Sequence, residues 1–235
     1  LWSALCGYLV VIQFSFPWVG YTFLFWLYIG LLNPDQTEEV APKRIPQPLK
    51  TGFAVLCLLA AFWYGYSAYR ADMEFRLGFL SRTNYWKNEA HLAKAIRFFP
   101  WEAEYRFVRA YNAFIIMKRK ETTKEQRLKM SRIFTDEMFP LLEHNSRNYK
   151  YYMLLGDVFS FFDKTAKAEE QYRTALKLYP NYYPVYLSLG SLLVQTNRFD
   201  EAEGCFRKAL AIKPDFHEAS KRLDLLEKLR KDVAQ

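Results

Sequence analysis

Cysteine and histidine are scarce in this 235-residue chain, and their placement excludes two kinds of site. Cys6 and Cys57 lie in apolar runs and Cys205 lies in a charged helical pattern, so neither a disulfide framework nor a zinc spacing is present. His91, His144 and His217 are scattered, and none has a cysteine, carboxylate or second histidine at ligand spacing. Glycine-rich phosphate loops and serine elbows are missing, and no acidic pair sits inside an apolar run. The pairs Glu201 with Glu203 and Asp72 with Glu74 read as solvated helix residues. The segment is therefore expected to hold no catalytic residue, no metal and no cofactor. Charge is also missing from Leu1–Asn33, whereas the whole chain carries a formal +8. That basic excess is interleaved with Asp and Glu along helical patterns. This reads as solvated helix faces rather than a nucleic-acid surface, with attraction to anionic lipid headgroups as the second reading.

What the N-terminal third does contain is membrane-like sequence. The uncharged run holds Trp2, Phe14, Phe16, Trp18, Phe23, Phe25 and Trp26, and it is longer than the roughly 20 residues of a single span. Phe16-Pro17-Trp18 sits at its middle. The pattern predicts the end of one transmembrane helix, a turn over 15–20 and a second span over 18–32. Another apolar block, Thr51–Tyr69, is bounded by Lys50 and Arg70, and Trp63, Tyr64, Tyr66 and Tyr69 crowd its C-terminal end as an interfacial belt does. Between the blocks, 33–50 holds Pro34, Pro42, Pro46 and Pro48 and reads as a short extended loop. Lys43, Arg44 and Lys50 in that loop are nearly balanced by Arg70, Arg76, Arg82 and Lys87 beyond the last span. The loop cations favour the cytoplasm by the positive-inside tendency, but the near balance leaves the orientation to be set mostly by the family resemblance below.

The C-terminal part repeats with a period of 34 residues. Tyr152, Leu155, Gly156, Phe159, Ala168, Tyr172, Ala175 and Pro180 recur as Tyr186, Leu189, Gly190, Leu193, Ala202, Phe206, Ala209 and Pro214. These residues resemble the tetratricopeptide (TPR) repeat, whose signature is an aromatic, Leu-Gly, a large residue, Ala, an aromatic, Ala and Pro at these spacings. The physics agrees with the resemblance. Each glycine lets a second helix approach the first closely, each alanine pair lies where the helices meet, and each proline ends the second helix. A single hairpin of this kind cannot bury its own apolar face, so neighbours are required.

Degenerate neighbours can be located on both sides. Ala95 to Pro100 keeps the interval of Ala175 to Pro180, which predicts the second helix of an earlier unit. Pro100 and Pro180 are 80 residues apart, two periods plus 12, and the surplus is expected near Met117–Met130, where Lys118–Glu125 is polar and reads as weakly ordered. Downstream, Leu223, Leu226 and Leu229 opposite a charged face predict a capping helix over 215–235. The expected fold is all-α: transmembrane helices over 1–69, degenerate helical repeats over 70–148, two TPR units over 149–214, and the cap.

In TPR units the first helices line a partner groove. At the usual groove positions this chain has Met153, Asp157, Ser160 and Phe161, then Leu187, Ser191, Val194 and Gln195. The mixed, partly apolar surface suits an extended or helical peptide, or a sugar stacked on Phe161. The Lys and Asn residues with which TPR domains clamp a peptide carboxylate are absent there. Met153 and Leu187 serve equally well as packing between repeats.

The whole chain also carries a broader resemblance. Gly7-Tyr8-Leu9-Val10, Phe14-Ser15-Phe16-Pro17, the Phe25–Leu32 span, one further helix, and an Ala-rich helix ending at Pro100 before Trp101-Glu102-Ala103-Glu104-Tyr105-Arg106 are similar to the C-terminus of the bacterial O-antigen ligase and polymerase superfamily. That resemblance implies an inner-membrane protein of the cell envelope with an extracytoplasmic repeat domain. It also implies a catalytic region upstream of Leu1 acting on undecaprenyl-linked glycan, Leu1 then being internal to a longer protein. A stand-alone membrane-anchored TPR scaffold is the alternative. Either reading gives a protein or peptide partner in the groove and lipid contact, with no nucleic acid.

Overall fold

The structure, a computed structural model, describes residues 47–81 and 84–233, and all regular structure within them is helical. The chain divides into two units, 1–70 and 71–235. The expected spans over 1–32 lie outside the described residues.

The first helix, α1, runs Gln47–Leu80. The proline-rich loop expected to reach Lys50 therefore stops earlier, because Pro48 falls in the first turn, where the missing N–H has no helical partner to lose. Within the first unit, Val55, Leu56, Leu59, Phe62 and Trp63 of α1 are all more than half exposed, Phe62 at 75 %. Among the described residues no helix is long and apolar enough to cross a membrane.

The second unit continues with α2 (Tyr85–Phe98), α3 (Ala103–Lys118), α4 (Lys124–His144), α5 (Tyr149–Phe161), α6 (Thr165–Leu178), α7 (Tyr183–Gln195), α8 (Phe199–Ile212) and α9 (His217–Val233). Helices α3 with α4, α5 with α6, and α7 with α8 pack as successive hairpins. Local chemistry sets their ends. Asn84, Glu102, Thr123 and Asn148 each accept a backbone N–H at the start of α2, α3, α4 and α5, and Thr123 forms a reciprocal capping box with Gln126. Helices α6 and α8 have no side-chain cap. Their turns instead use Asp163 and Asn197, whose φ angles of 55° and 59° are tolerated by these short polar side chains. At the other ends, Phe99, Tyr179 and Lys213 donate their N–H to the carbonyls of Ala95, Ala175 and Ala209, each at 2.9 Å, just before Pro100, Pro180 and Pro214. The three helix ends inferred from the Ala-to-Pro interval share one geometry.

The repeat glycines are demanded by packing. A Cβ on Gly156 would sit 2.5 Å from Cε1 of Tyr172, and one on Gly190 would sit 2.5 Å from Cε1 of Phe206. The aromatic ring of α6 and that of α8 thus lie directly against the glycine of the preceding first helix. Two cores result. One joins Ala110, Phe114, Met117, Met130, Met138, Leu141, Tyr151 and Leu154 of α3, α4 and α5, and the other joins Tyr172, Val185, Leu189, Leu193, Phe206 and Leu226 of α6 to α9. Leu226 is 1 % exposed, with Leu223 packed beside it, as a terminal cap requires.

The 12 surplus residues are not gathered in a weakly ordered segment. Helices α3 and α4 are 16 and 21 residues long against 13 and 14 for α5 and α6, and the turn 119–123 absorbs the rest. The capping box holds the start of α4 at Lys124, and Thr122 donates its hydroxyl to the carbonyl of Ile116 at 2.6 Å. Polar composition here marks a capped turn.

Candidate partner groove

The first helices α5 and α7 carry the expected groove residues, and the structure divides those residues by role. Asp157 is a structural anchor. Its Oδ1 accepts the Tyr172 hydroxyl at 2.7 Å, so one carboxylate ties α5 to α6. Burial pushes the Asp157 carboxyl above the ordinary carboxylate value, outweighing the Tyr172 bond and the Lys118 charge. The Tyr172 phenol is driven strongly upward by burial and then by the neighbouring Asp157 charge.

Phe161 is held edge-on to Phe114 at 6.0 Å and to Phe162 at 5.2 Å, while the Lys118 ammonium lies 5.3 Å from the Phe114 centroid. This aromatic corner joins α3 to α5 and stays partly exposed. Met153, Leu187 and Val194 are half-buried and pack against the second core. The Ser191 hydroxyl donates to the carbonyl of Leu187 at 2.8 Å, one turn back in its own helix. Ser160 is half-buried, and Gln195 is exposed at the end of α7. The groove surface is thus mainly apolar, with Gln195 and Lys118 as its polar reach.

Two further features of the first helices escaped the motif. A tyrosine cluster follows the repeat junctions: Tyr149 lies 4.9 Å from Tyr179 and 4.8 Å from Tyr182, and Tyr183 lies 4.8 Å from Phe216. Tyr149 and Tyr183 are 34 residues apart, as are Tyr182 and Phe216, so the repeat offset itself was the signal. Upstream, a cavity of about 410 Å³ is lined by Phe75, Phe79, Tyr85, Leu92, Tyr111 and Asn112, from α1, α2 and α3.

The α3 hairpin also hides a buried ion network. Arg109 bonds Glu89 Oε1 of α2 through Nη2 at 2.7 Å and Glu137 Oε1 of α4 through Nη1 at 2.8 Å, while Arg106 Nη1 reaches Glu137 Oε2 at 2.8 Å. Burial raises the Glu89 carboxyl despite its arginine partner. Both arginines fall on the α3 face that the repeat pattern makes apolar, so the motif gave no warning of them. Among the described residues no cluster of His, Cys, Asp and Glu can hold a metal ion.

Residues 163–229 match the tetratricopeptide repeat family. No curated protein matches the chain. Among solved structures, PilW, titled a widely conserved type IV pilus biogenesis factor, is similar at 19% identity and a TM-score of 0.56, covering 70% of this chain and 71% of its own. PilF of Pseudomonas aeruginosa is similar at 23% identity and a TM-score of 0.54, covering 71% of this chain and 72% of its own. MamA follows at 16% identity and a TM-score of 0.51, covering 70% and 86%. At these identities the likeness is one of fold. The α5–α6 and α7–α8 hairpins, the ring contacts of Gly156 and Gly190 and the tetratricopeptide repeat match over 163–229 make this an all-α TPR-like solenoid.

Proposed function

We propose that the chain is a membrane-anchored TPR segment that binds a protein or peptide partner along α3, α5 and α7. The observation that carries this reading is the half-buried surface of Phe161, Met153, Leu187 and Val194, which presents apolar area beside the exposed Gln195. Extended or helical peptides bind such surfaces by placing apolar anchors against them. The anchor is the apolar segment 51–69, supported by the exposed Val55, Leu56, Leu59, Phe62 and Trp63 and by the aromatic crowding towards Tyr69.

A finer reading rests on the sequence resemblance alone: the chain is the C-terminal part of an O-antigen ligase or polymerase-like protein, its repeats lying outside the cytoplasm and organising partners or undecaprenyl-linked product. The stand-alone envelope scaffold is the alternative, and PilW, similar in fold, is a type IV pilus biogenesis factor. An intact mass well above 28.0 kDa for the native polypeptide favours the first, and a mass near it favours the second.

The groove is tested by photo-crosslinking in cells with a probe at Gln195 and a control probe at Lys221 on the cap. A discrete adduct at Gln195 alone supports the reading. Equal adducts at both sites, or none, overturn it. Carbonate extraction tests the anchor: wild type stays with membranes, and release of the wild type refutes anchoring.

A further inference from the structure

Away from the groove, the second helices α6 and α8 flank a crevice of about 470 Å³ floored by α7. Its floor is Tyr186, Leu189 and Leu193, and its walls carry Leu176, Gly204 and Cys205. Arg173, Lys177 and Lys208 line it together with one carboxylate, Glu201, so its charged lining is basic on balance. Arg173 is already paired, with Glu169 at 2.7 Å and with Glu201 at 3.5 Å. Lys177 and Lys208 make no ion pair among the described residues, and Lys208 Nζ lies 5.8 Å from the Tyr186 ring.

Gly204 makes this crevice unusual. A glycine inside a helix costs about 1 kcal/mol relative to alanine. Gly156 and Gly190 are required by the rings lying on them, but a Cβ on Gly204 would meet nothing within 4 Å. No contact inside the chain explains the residue. One unit earlier, 34 residues back, the places of Gly204, Cys205 and Lys208 hold Glu170, Gln171 and Thr174, so the open wall and the lysine belong to the last unit alone.

We infer that the crevice between α6 and α8 docks an acidic amphipathic helix of a partner protein. Two roughly parallel ridges of side chains leave a groove that accepts the ridge of a third helix, and Gly204 lets that helix approach the α8 backbone. Leucine-sized residues of the partner cover Tyr186 and Leu176, the partly exposed apolar residues of the crevice, and carboxylates on either side face Lys177 and Lys208. Charge complementarity selects the sign of the partner. A flat anionic headgroup layer would touch only the rim and leave the apolar floor empty. This surface is separate from the α3, α5 and α7 groove, and it stands or falls independently of it.

The test titrates the full chain with a fluorescent helical peptide carrying Leu at i and i+4 flanked by Glu, and with its Lys-for-Glu counterpart. The Glu peptide is expected to bind and to slow alkylation of Cys205. Gly204→Trp fills the crevice and should weaken binding about tenfold or more, equivalent to about 1.4 kcal/mol. Gly204→Ala, which meets only open space, should melt no lower than wild type, showing that this site tolerates a side chain. Lys177→Glu with Lys208→Glu should lose the Glu peptide and gain the Lys peptide. The proposal fails if Gly204→Trp binds as wild type does, or if both peptides bind equally. It also fails if phosphatidylglycerol vesicles bind with this dependence on the variants while the Glu peptide does not.

Discussion

The α3–α4 hairpin and the α5–α6 hairpin solve one packing problem with opposite chemistry. Arg106, Arg109 and Ala110 are the fourth, seventh and eighth residues of α3, and the same places in α5 hold Tyr152, Leu155 and Gly156. Helix α5 meets its neighbours through apolar contact and a tyrosine ring laid over glycine. On the corresponding face, α3 meets α2 and α4 through two guanidinium groups shared between Glu89 and Glu137. Ridges of similar size hold helices at similar distances whether their tips are apolar or paired ions. What differs is the penalty for losing one member. An apolar contact can partly collapse, whereas an ion stripped of its partner stays buried and uncompensated.

The largest effect should therefore come from Glu137→Ala, whose carboxylate side chain is only 6% exposed: Arg106 loses its carboxylate partner and Arg109 is left with Glu89 alone. A loss of about 3–5 kcal/mol is expected from urea unfolding of the chain. Replacing Arg106, Arg109, Glu89 and Glu137 together by Leu or Met of similar volume should be neutral or stabilising. If Glu137→Ala costs no more than a surface substitution, the contrast between the hairpins is void.

A smaller loss is expected where the second chemistry is overfilled. Gly190→Ala forces a methyl group towards Phe206 and should cost about 1–3 kcal/mol, with Gly190→Trp costing more and lowering the melting temperature further. An unchanged melting curve for Gly190→Trp would remove the TPR register from α7 and α8.

The register was legible because each signature residue has one physical job that needs one residue type: small under the ring, aromatic as the ring, proline after the last turn. The α3 network was not legible from that pattern. Arg106 and Arg109 look like solvated charges until folding brings Glu89 from 20 residues upstream and Glu137 from 28 residues downstream. The groove was half legible. Met153, Leu187 and Val194 can be placed from the period, but the period does not show that Asp157 accepts the Tyr172 hydroxyl. The loop boundary at Lys50 was missed because Pro48, a helix breaker elsewhere, is tolerated in a first turn.

The smallest effect sharpens the comparison between the two TPR units themselves. One unit pairs Tyr172 with Asp157, and 34 residues on both partners change together to Phe206 and Ser191. Tyr172→Phe leaves the half-buried Asp157 without its hydroxyl donor and should cost about 1–3 kcal/mol at neutral pH. Adding Asp157→Ser copies the second unit and should recover most of that loss. The pH dependence follows from the raised Asp157 carboxyl. Its folded form holds the proton more tightly than the unfolded chain does, so its contribution to stability is fully present below the ordinary value of 3.8 and is lost as pH rises through the higher folded value. Asp157→Asn should accordingly raise the melting temperature at neutral pH, and the gain should fade as pH falls below about 3.8. A gain independent of pH would show that the buried charge is not its source.

The sequence by itself determined the helical class, the 34-residue period, the helix ends at Pro100, Pro180 and Pro214, and the capping leucines, since each follows from local periodicity and from what proline and glycine permit. Only the tertiary structure decided that Asp157 is an anchor, that Arg106 and Arg109 are buried between two glutamates, and that Gly204 opens on a crevice. Those three properties depend on which side chains arrive from other helices, and no window along the chain contains both partners.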